Sequence, residues 1–149
     1  MRAVVQRVKR ASVWVKNREI AAIDTGLLVF IGIGQGDNEG SIGYIVDKTL
    51  NLRIFEDTAG KMNLSVRDIN AEVLLVSQFT LYGDVRRGRR PSFTRAMSPQ
   101  QAKTFFDQVI NEFNKAYPRC KTGQFQAMMD IKLINDGPVT ILLDSEKLV

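Results

Sequence analysis

The segment SPQQAKTFFDQVINEFNKAYP, residues 98–118, predicts a long amphipathic helix and is the clearest single element of the chain. Ser98 is placed to cap this helix, Pro99 to occupy its first turn and Gln101 to complete a capping box. Pro118 ends it, because proline cannot continue a helix. The apolar face comprises Ala102, Phe105, Phe106, Val109, Ile110, Phe113 and Tyr117. A helix with such a face is buried against a second layer of secondary structure, which the rest of the chain must supply.

Strand patterns occupy both sides of this helix and supply the second layer. The predicted strands cover residues 1–8, 11–16, 19–23, 26–33, 71–79, 124–134 and 139–143. A hairpin turn is predicted at Asn17-Arg18, and the sequence NDGP at 135–138 predicts a turn that separates the last two strands. A second helix is predicted over residues 38–53, with Asp37 or Asn38 as its cap. Strands at both ends with helices between them predict one α+β domain over all 149 residues, with a curved, barrel-like sheet and two main helices.

Composition excludes several classes of active site. The chain has no histidine and a single cysteine, Cys120. A Ser–His–Asp triad, a Cys–His pair and histidine- or cysteine-rich zinc sites are therefore impossible, and we expect neither a metal nor a cofactor. A lone cysteine fits a reducing compartment, and the first residues lack the apolar core of a signal peptide. Because no apolar run approaches the ~18 residues that cross a bilayer, we expect a cytoplasmic protein with no membrane association.

Positive charge is concentrated in one segment, residues 85–95, which we call the arginine loop. The chain carries a net charge of +5, and this loop contains no acid. Its arginines are Arg86, Arg87, Arg89, Arg90 and Arg95. Without them the chain has 16 basic and 16 acidic residues, so the loop holds the whole excess. Since clustered arginines repel one another, the pattern predicts a phosphate-rich partner, with a solvated surface as the alternative.

Polar residues follow the apolar run VLLV in the predicted strand 71–79. Ser77, Gln78 and Thr80 need hydrogen-bond partners wherever they are buried. One interpretation is that these side chains bond to backbone at the strand end, and the other is a ligand site at that end. Without a neighbouring base, Ser77 and Thr80 are poor nucleophiles. Their predicted use is to orient a substrate, while backbone N–H groups stabilise an oxyanion.

The segment Gly32-Ile33-Gly34-Gln35-Gly36 lies between a predicted strand and a predicted helix, where a dinucleotide fingerprint would lie. However, Asp37 occupies the position of the third glycine of that motif, and the chain lacks repeated βαβ units. The favoured interpretation is a glycine loop that leads into a helix. Two other classes of function stay open at this point: a nucleotide-binding enzyme that uses this loop, and an RNA-binding module without catalysis.

Four segments, MRAVVQRVKRASV, SQFTLYGD, GRRPSF and NDGPVT, occur in this order along essentially the whole chain. In that order and spacing they resemble the D-aminoacyl-tRNA deacylase family, formerly called D-tyrosyl-tRNA deacylases. The resemblance implies an enzyme that hydrolyses the ester between a D-amino acid and the 3′ end of tRNA, and that spares L-aminoacyl-tRNA. It also implies a homodimer with two active sites at the subunit interface.

The resemblance further implies roles for individual residues. The pocket would be lined by Ser77, Gln78, Phe79 and Thr80, with Ala102 and Met129 as further wall positions. Gly137 and Pro138 would form a cis dipeptide that reaches into the pocket of the partner, with Arg7 holding it in place. A filter made of backbone excludes an L side chain but has nothing with which to reject glycine. The residues add two expectations: that Arg86, Arg87, Arg89 and Arg90 meet the tRNA backbone, and that the 2′-hydroxyl of the terminal ribose assists catalysis.

Overall fold

The computed structural model describes residues 1–148, which form a strongly curved mixed sheet with two helices packed on one side. The strands are β1 Arg2–Val15, β2 Arg18–Ile23, β3 Gly26–Gly32, β4 Phe55–Glu56, β5 Met62–Leu64, β6 Glu72–Ser77, β7 Cys120–Thr122 and β8 Asp130–Asp144. The helices are α1 Glu39–Asn51 and α2 Pro99–Ala116, and a 3-10 turn covers Phe79–Tyr82. None of these helices is long and apolar enough to span a lipid bilayer. The predicted α+β class, with a barrel-like sheet and two main helices, is confirmed.

The long strand β1 organises the sheet. Along one edge it pairs with β8, and along the other edge its first half pairs with β3 and its second half with β2. Strand β3 continues the sheet through parallel pairing with β6, which in turn pairs in parallel with β7. The ammonium group of Lys121 in β7 donates to the carbonyl of Ala22 in β2 at 2.7 Å. The two ends of the strand order therefore come together, and the sheet is nearly closed into a barrel.

Alternation along the strands sends apolar side chains into two separate cores. In β3, Leu27 and Val29 pack towards the helices, whereas Leu28 lies on the opposite face, inside the curve of the sheet. The helix-side core includes Phe106 and Phe113 from the predicted apolar face of α2, both essentially inaccessible to solvent. The two-sided burial of β3 explains why its sequence is a continuous apolar run rather than an alternating one.

The turn predicted at residues 135–138 is wrong, because β8 runs through it. Gln6 lies opposite Thr140 and Val8 lies opposite Asn135, so four residues of β8 face the single residue Arg7 of β1. The Asn135 side chain closes this bulge by accepting a hydrogen bond from the N–H of Val139 at 2.8 Å. The strand predicted to begin at residue 124 in fact begins at Asp130, and the two strands predicted at the N-terminal end are one.

The helix caps differ from one another. Asn38 caps α1, and its side chain forms a full capping box with Ser41. Pro99 is the first residue of α2, as predicted, and Ser98 precedes it in the cap position. The predicted capping box of α2 is wrong: the Ser98 hydroxyl donates to the side-chain oxygen of Gln101 at 2.8 Å and accepts no backbone N–H.

Candidate active site

A cavity of about 720 Å³ opens at the carboxyl ends of the parallel strands β3 and β6. Its wall is completed by the start of α2 and by the segment that leads into β8. The lining residues are Ile31, Ile33, Val76, Ser77, Gln78, Phe79, Phe93, Ala96, Met97, Ser98, Pro99, Ala102, Phe125, Gln126, Ala127, Met128, Met129 and Ile131. This volume is within the range of roughly 300–1,000 Å³ that is typical of small-molecule sites.

The structure brings most of the predicted pocket residues onto this wall. Ser77, Gln78 and Phe79 line the cavity where β6 ends, Ala102 lines it from the first turn of α2, and Met129 lines it just before β8. Thr80 is not on the wall of the isolated chain. It is exposed on the 3-10 turn, where its hydroxyl accepts a hydrogen bond from the Gln78 amide at 2.6 Å.

Two backbone donors are left free where the strand becomes the 3-10 turn. The N–H of Gln78 donates to the carbonyl of Ile31 at 2.7 Å and so extends the β3–β6 pairing. The next bonded N–H along the chain is that of Leu81, which donates to Gln78. Within residues 1–148 the N–H groups of Phe79 and Thr80 therefore have no protein acceptor, as expected at the start of a short helix. Two adjacent free N–H groups are a suitable binding site for a developing oxyanion.

The cavity wall carries no ionisable side chain among the described residues. Its polar side chains are Ser77, Gln78, Ser98 and Gln126. None of these four is a general base at neutral pH, so the wall can bind and orient a substrate but offers no protein group to accept a proton. No group of three His, Cys, Asp or Glu side chains that could hold a metal occurs in residues 1–148.

Aromatic and methionine side chains form the exposed rim of the cavity. Phe79 and Phe93 make an edge-to-face contact with their ring centres 5.1 Å apart, and Phe79 remains 59% exposed. Met128 lines the cavity although it is 91% exposed. Sequence reasoning did not assign Phe93 or Met128 to the pocket. The only signals for them were the position of Phe93 beside the arginine loop and that of Met128 beside Met129.

The residues Arg7, Gly137 and Pro138 lie outside this cavity in the single chain. Arg7 is buried below the bulge of β8, where its Nε donates to the carbonyl of Asp136 at 3.1 Å and its Nη1 to that of Ile54 at 2.6 Å. Gly137 and Pro138 are exposed, and the peptide bond between them is cis. The bulge is therefore fixed from beneath by Arg7, while its tip faces solvent.

The position of Gly137 in the bulge admits only glycine without rearrangement. Its φ angle is +126°, a region that L side chains rarely adopt. A Cβ atom there would lie 2.8 Å from Cγ2 of Val139 and 3.0 Å from Nη2 of Arg7. Substitution must move either the bulge or the arginine beneath it.

The arginine loop is less uniformly free of acid partners than its sequence indicates. Arg86 forms a bidentate pair with Asp84, which precedes the loop, and Arg95 pairs with Glu146 at 3.0 Å. Two of the five arginines are therefore paired with acids that lie outside the loop. Arg87, Arg89 and Arg90 are exposed and form no ion pair within residues 1–148.

The glycine loop at residues 32–36 leads into α1, as favoured from the sequence. The carboxylate of Asp37 closes it by accepting the N–H of Gly34 at 2.6 Å and pairing with the N-terminal amino group. A Cβ on Gly34 would lie 2.6 Å from the ring of Tyr82, so this glycine is required for packing. The cavity beside the loop holds about 160 Å³, below the range of roughly 300–1,000 Å³ of ligand sites, which disfavours the nucleotide-binding alternative.

Comparison with known proteins gives one consistent family. The family model described as D-Tyr-tRNA(Tyr) deacylase matches residues 4–144. A D-aminoacyl-tRNA deacylase of Halothermothrix orenii is 58% identical over 147 residues, and one of Thermotoga petrophila is 55% identical over 148, each alignment covering 99% of both chains. A solved structure named c-Myc DNA Unwinding Element Binding Protein has a TM-score of 0.93 at 45% identity, covering 97% of this chain and 98% of the other. The resemblance found in the sequence is thus confirmed, and the chain belongs to the D-Tyr-tRNA(Tyr) deacylase family.

Proposed function

We propose that this chain hydrolyses the ester that joins a D-amino acid to the 3′ end of tRNA, and leaves L-aminoacyl-tRNA intact. The observation that carries the proposal is the cavity itself, whose wall includes Phe79, the first of two adjacent residues (with Thr80) whose N–H groups are free within residues 1–148. An aminoacyl side chain fits the apolar wall, and the ester carbonyl oxygen fits the two donors. The relatives that match over the full chain carry the same activity in their names.

The proposed chemistry uses water, two backbone donors and the substrate. Water attacks the ester carbonyl carbon, and the negative charge that develops on the carbonyl oxygen is stabilised by the N–H groups of Phe79 and Thr80. The bond to the ribose 3′ oxygen then breaks, which releases the amino acid and leaves a 3′-hydroxyl on the tRNA. Because no ionisable group of residues 1–148 lines the cavity, the neighbouring 2′-hydroxyl relays the proton from the attacking water to the leaving oxygen. Ser77 and Thr80 orient the substrate and form no covalent intermediate.

We further propose that two copies of the chain complete each site. Gly137 and Pro138 are exposed and lie on a bulge that Arg7 holds rigid, as required of a group that enters the pocket of a partner. Beside the bulge, Leu142 of β8 is 59% exposed and is paired through Val4 of β1 with Phe30 of β3, forming an apolar strip across three strands. A strip of this kind on a small domain is typical of an interface.

In this arrangement the backbone of Gly137 and Pro138 acts as the chirality filter. An L side chain would run into that backbone, whereas a D side chain would point away from it and into the cavity. Arg87, Arg89 and Arg90 are the arginines we assign to tRNA phosphates, because their guanidinium groups are exposed and unpaired among the described residues. A protein that acts on aminoacyl-tRNA during translation is expected in the cytoplasm.

One assay tests the proposed function directly. Purified protein is incubated with D-tyrosyl-tRNA and L-tyrosyl-tRNA, and the released amino acid is measured over time. We expect rapid release from the D ester and release at the spontaneous rate from the L ester. Binding of tRNA without release of either amino acid would instead favour the second candidate, a nucleic-acid-binding module, for which the exposed arginines are the supporting observation.

A further inference from the structure

The arginine loop has a built stem. Asp84 and Ser92 face each other in an antiparallel bridge, with the N–H of Asp84 bonded to the carbonyl of Ser92 at 2.8 Å and the reverse bond at 2.9 Å. These two bonds close residues 85–91 into a defined loop. Gly88 supplies the positive φ angle, +93°, at its tip.

The carboxylate of Asp84 also binds Arg86 at three points. It accepts the backbone N–H of Arg86 at 3.0 Å, the guanidinium Nε at 2.9 Å and Nη2 at 2.5 Å. The Arg86 guanidinium holds the pKa of this carboxyl well below its usual range, so the pair is ionised throughout the neutral range. We call this arrangement the Asp84–Arg86 clasp. A bidentate contact with an added backbone bond has a fixed geometry that most exposed ion pairs lack.

The far limb of the loop is anchored to the body of the protein and to the cavity rim. The Gln35 amide donates to the carbonyl of Thr94 at 2.8 Å, and the N–H of Met97 donates to that of Ile33 at 2.9 Å. Between these anchors and the stem, Phe93 packs edge-to-face on Phe79 at the mouth of the cavity. The position of the rim therefore depends on both the anchors and the stem.

We propose that Asp84 and Arg86 are positioning residues for the substrate, and that Arg86 is not itself a phosphate contact. The clasp fixes the stem, and the stem holds Phe93 at the cavity rim. It also sets the distance between the cavity and the guanidinium groups of Arg87, Arg89 and Arg90, which are unpaired within the part of the chain that the structure describes. This inference rests on the proposed function, because it concerns how the same site receives the end of a tRNA.

The electrostatic reason is that Arg86 is already neutralised. A phosphate that bound Arg86 would have to share the guanidinium with the carboxylate of Asp84 and would lie beside a like charge. Such a contact would release few counterions, whereas a phosphate bound by the exposed Arg89 would release them fully. The arginines of one loop should therefore differ in the salt dependence that each contributes.

The first experiment measures binding of uncharged tRNA as a function of salt for wild type, Arg86→Gln and the matched control Arg89→Gln. For Arg89→Gln we expect the slope of log affinity against log salt to fall by about 0.7–0.9. For Arg86→Gln we expect the wild-type slope. A slope lowered equally in both variants would make Arg86 a phosphate contact and overturn the proposal.

The second experiment measures hydrolysis of D-tyrosyl-tRNA by Asp84→Asn, Arg86→Gln and the double variant. We expect kcat/KM to fall about threefold in each, through KM, and by no more in the double variant, because both substitutions open one exposed clasp. The thermal midpoint should not change, which separates positioning from a structural role. Arg86→Lys keeps the charge but loses the two-point geometry, so it should behave like Arg86→Gln. Additive losses of about ninefold, or full rescue by lysine, would refute the clasp.

A third measurement keeps the two proposals apart. The Nε–H resonance of Arg86 in nitrogen-edited NMR, without any RNA present, should move in Asp84→Asn and stay in place in Arg89→Gln. An unchanged resonance in Asp84→Asn would remove the clasp even if the enzyme hydrolyses its ester as proposed. Absence of hydrolysis by the wild type would refute the proposed function. The clasp would then still be tested by this resonance and by the salt slopes.

Discussion

Replacing Gly137 by alanine should damage both the stability of the bulge and the chirality filter that we assign to it. The added methyl group would lie 2.8 Å from the Val139 side chain and 3.0 Å from the Arg7 guanidinium, at a φ of +126°. Contacts this short require a neighbour to move. Arg7 cannot give way easily, because it is 5% exposed and bonded to the carbonyl groups of Asp136 and Ile54.

The size of both effects follows from this geometry. Holding a non-glycine residue in a sparsely populated backbone region costs about 1–3 kcal/mol. For a chain of this length, that lowers the Tm by roughly 2–12 °C. A shift of about half an ångström in the bulge should lower kcat/KM on D-tyrosyl-tRNA by about tenfold, given that 1 Å of misplacement costs about 10²-fold. The ratio of D to L hydrolysis should fall as well, since the displaced backbone no longer excludes the L side chain.

The assay compares thermal unfolding and the release of D- and L-tyrosine for wild type, Gly137→Ala and the control Gly43→Ala. Gly43 lies in α1 with nothing within 4 Å of its added Cβ, so alanine there should raise stability by roughly 0.5–1 kcal/mol and leave both rates unchanged. If Gly137→Ala keeps the wild-type D-to-L ratio while losing stability, the backbone filter is wrong. If it loses no stability, our account of the bulge is wrong.

The shared site can be tested with the same position. A Gly137→Trp chain and a Ser77→Trp chain, each inactive alone, should form a mixed dimer with one working site, and no recovery of activity on mixing would argue against a site built from two copies. Aminoacyl-tRNA whose terminal ribose lacks the 2′-hydroxyl should be hydrolysed far more slowly than the natural substrate, whereas the Ser77→Ala and Thr80→Ala variants, and the wild type with added EDTA, should keep measurable activity. A covalent aminoacyl intermediate on Thr80 would overturn this scheme. Glycyl-tRNA should be hydrolysed at a rate nearer to that of D-alanyl-tRNA than to that of L-alanyl-tRNA, because the missing methyl group lowers the binding free energy by only about 1–3 kcal/mol. Resistance equal to that of the L ester would instead require positive recognition of the D side chain. Burial raises the pKa of the Cys120 thiol to about 11. Because iodoacetamide reacts with the thiolate, it should alkylate Cys120 at pH 8.5 on the order of 100-fold more slowly in the folded protein than in the unfolded chain. Equal rates would contradict the burial of this thiol.

The elements that the sequence predicted well are those whose information is local. The apolar face of α2 repeats at helical spacing, and buried strands such as β3 are continuous apolar runs, so each pattern can be recognised within a short window. The residues around Ser77 were located because polar side chains follow an apolar run at a strand end. The same local information missed the short strands β4, β5 and β7, which have two or three residues each and too few side chains to show a period.

The errors arise where strand register or the direction of a side chain decides the outcome. NDGP is a typical turn sequence, yet at residues 135–138 the pairing of β8 with β1 continues on both sides and converts the turn into a bulge. The serine of an apparent capping box bonded instead to the side chain of Gln101. Arg95 pairs with Glu146, which is remote in sequence, whereas Arg86 pairs with Asp84, which directly precedes the loop. Strand register and side-chain direction are set by the folded structure and cannot be read from the order of residue types.

The pairing of β1 with β8 constrains the order in which the chain can fold. Arg2 lies opposite Asp144, so β1 completes its longest ladder with β8, the strand of residues 1–148 that leaves the ribosome last. Contacts between such remote residues carry a large loop-closure entropy and slow folding. Until β8 has left the ribosome, one edge of the central strand has no partner, and an unpaired edge is prone to aggregation. A chain that stops before β8 therefore loses more than one strand, because β1 would keep an open edge along its length and the bulge that carries Gly137 would be missing with β8.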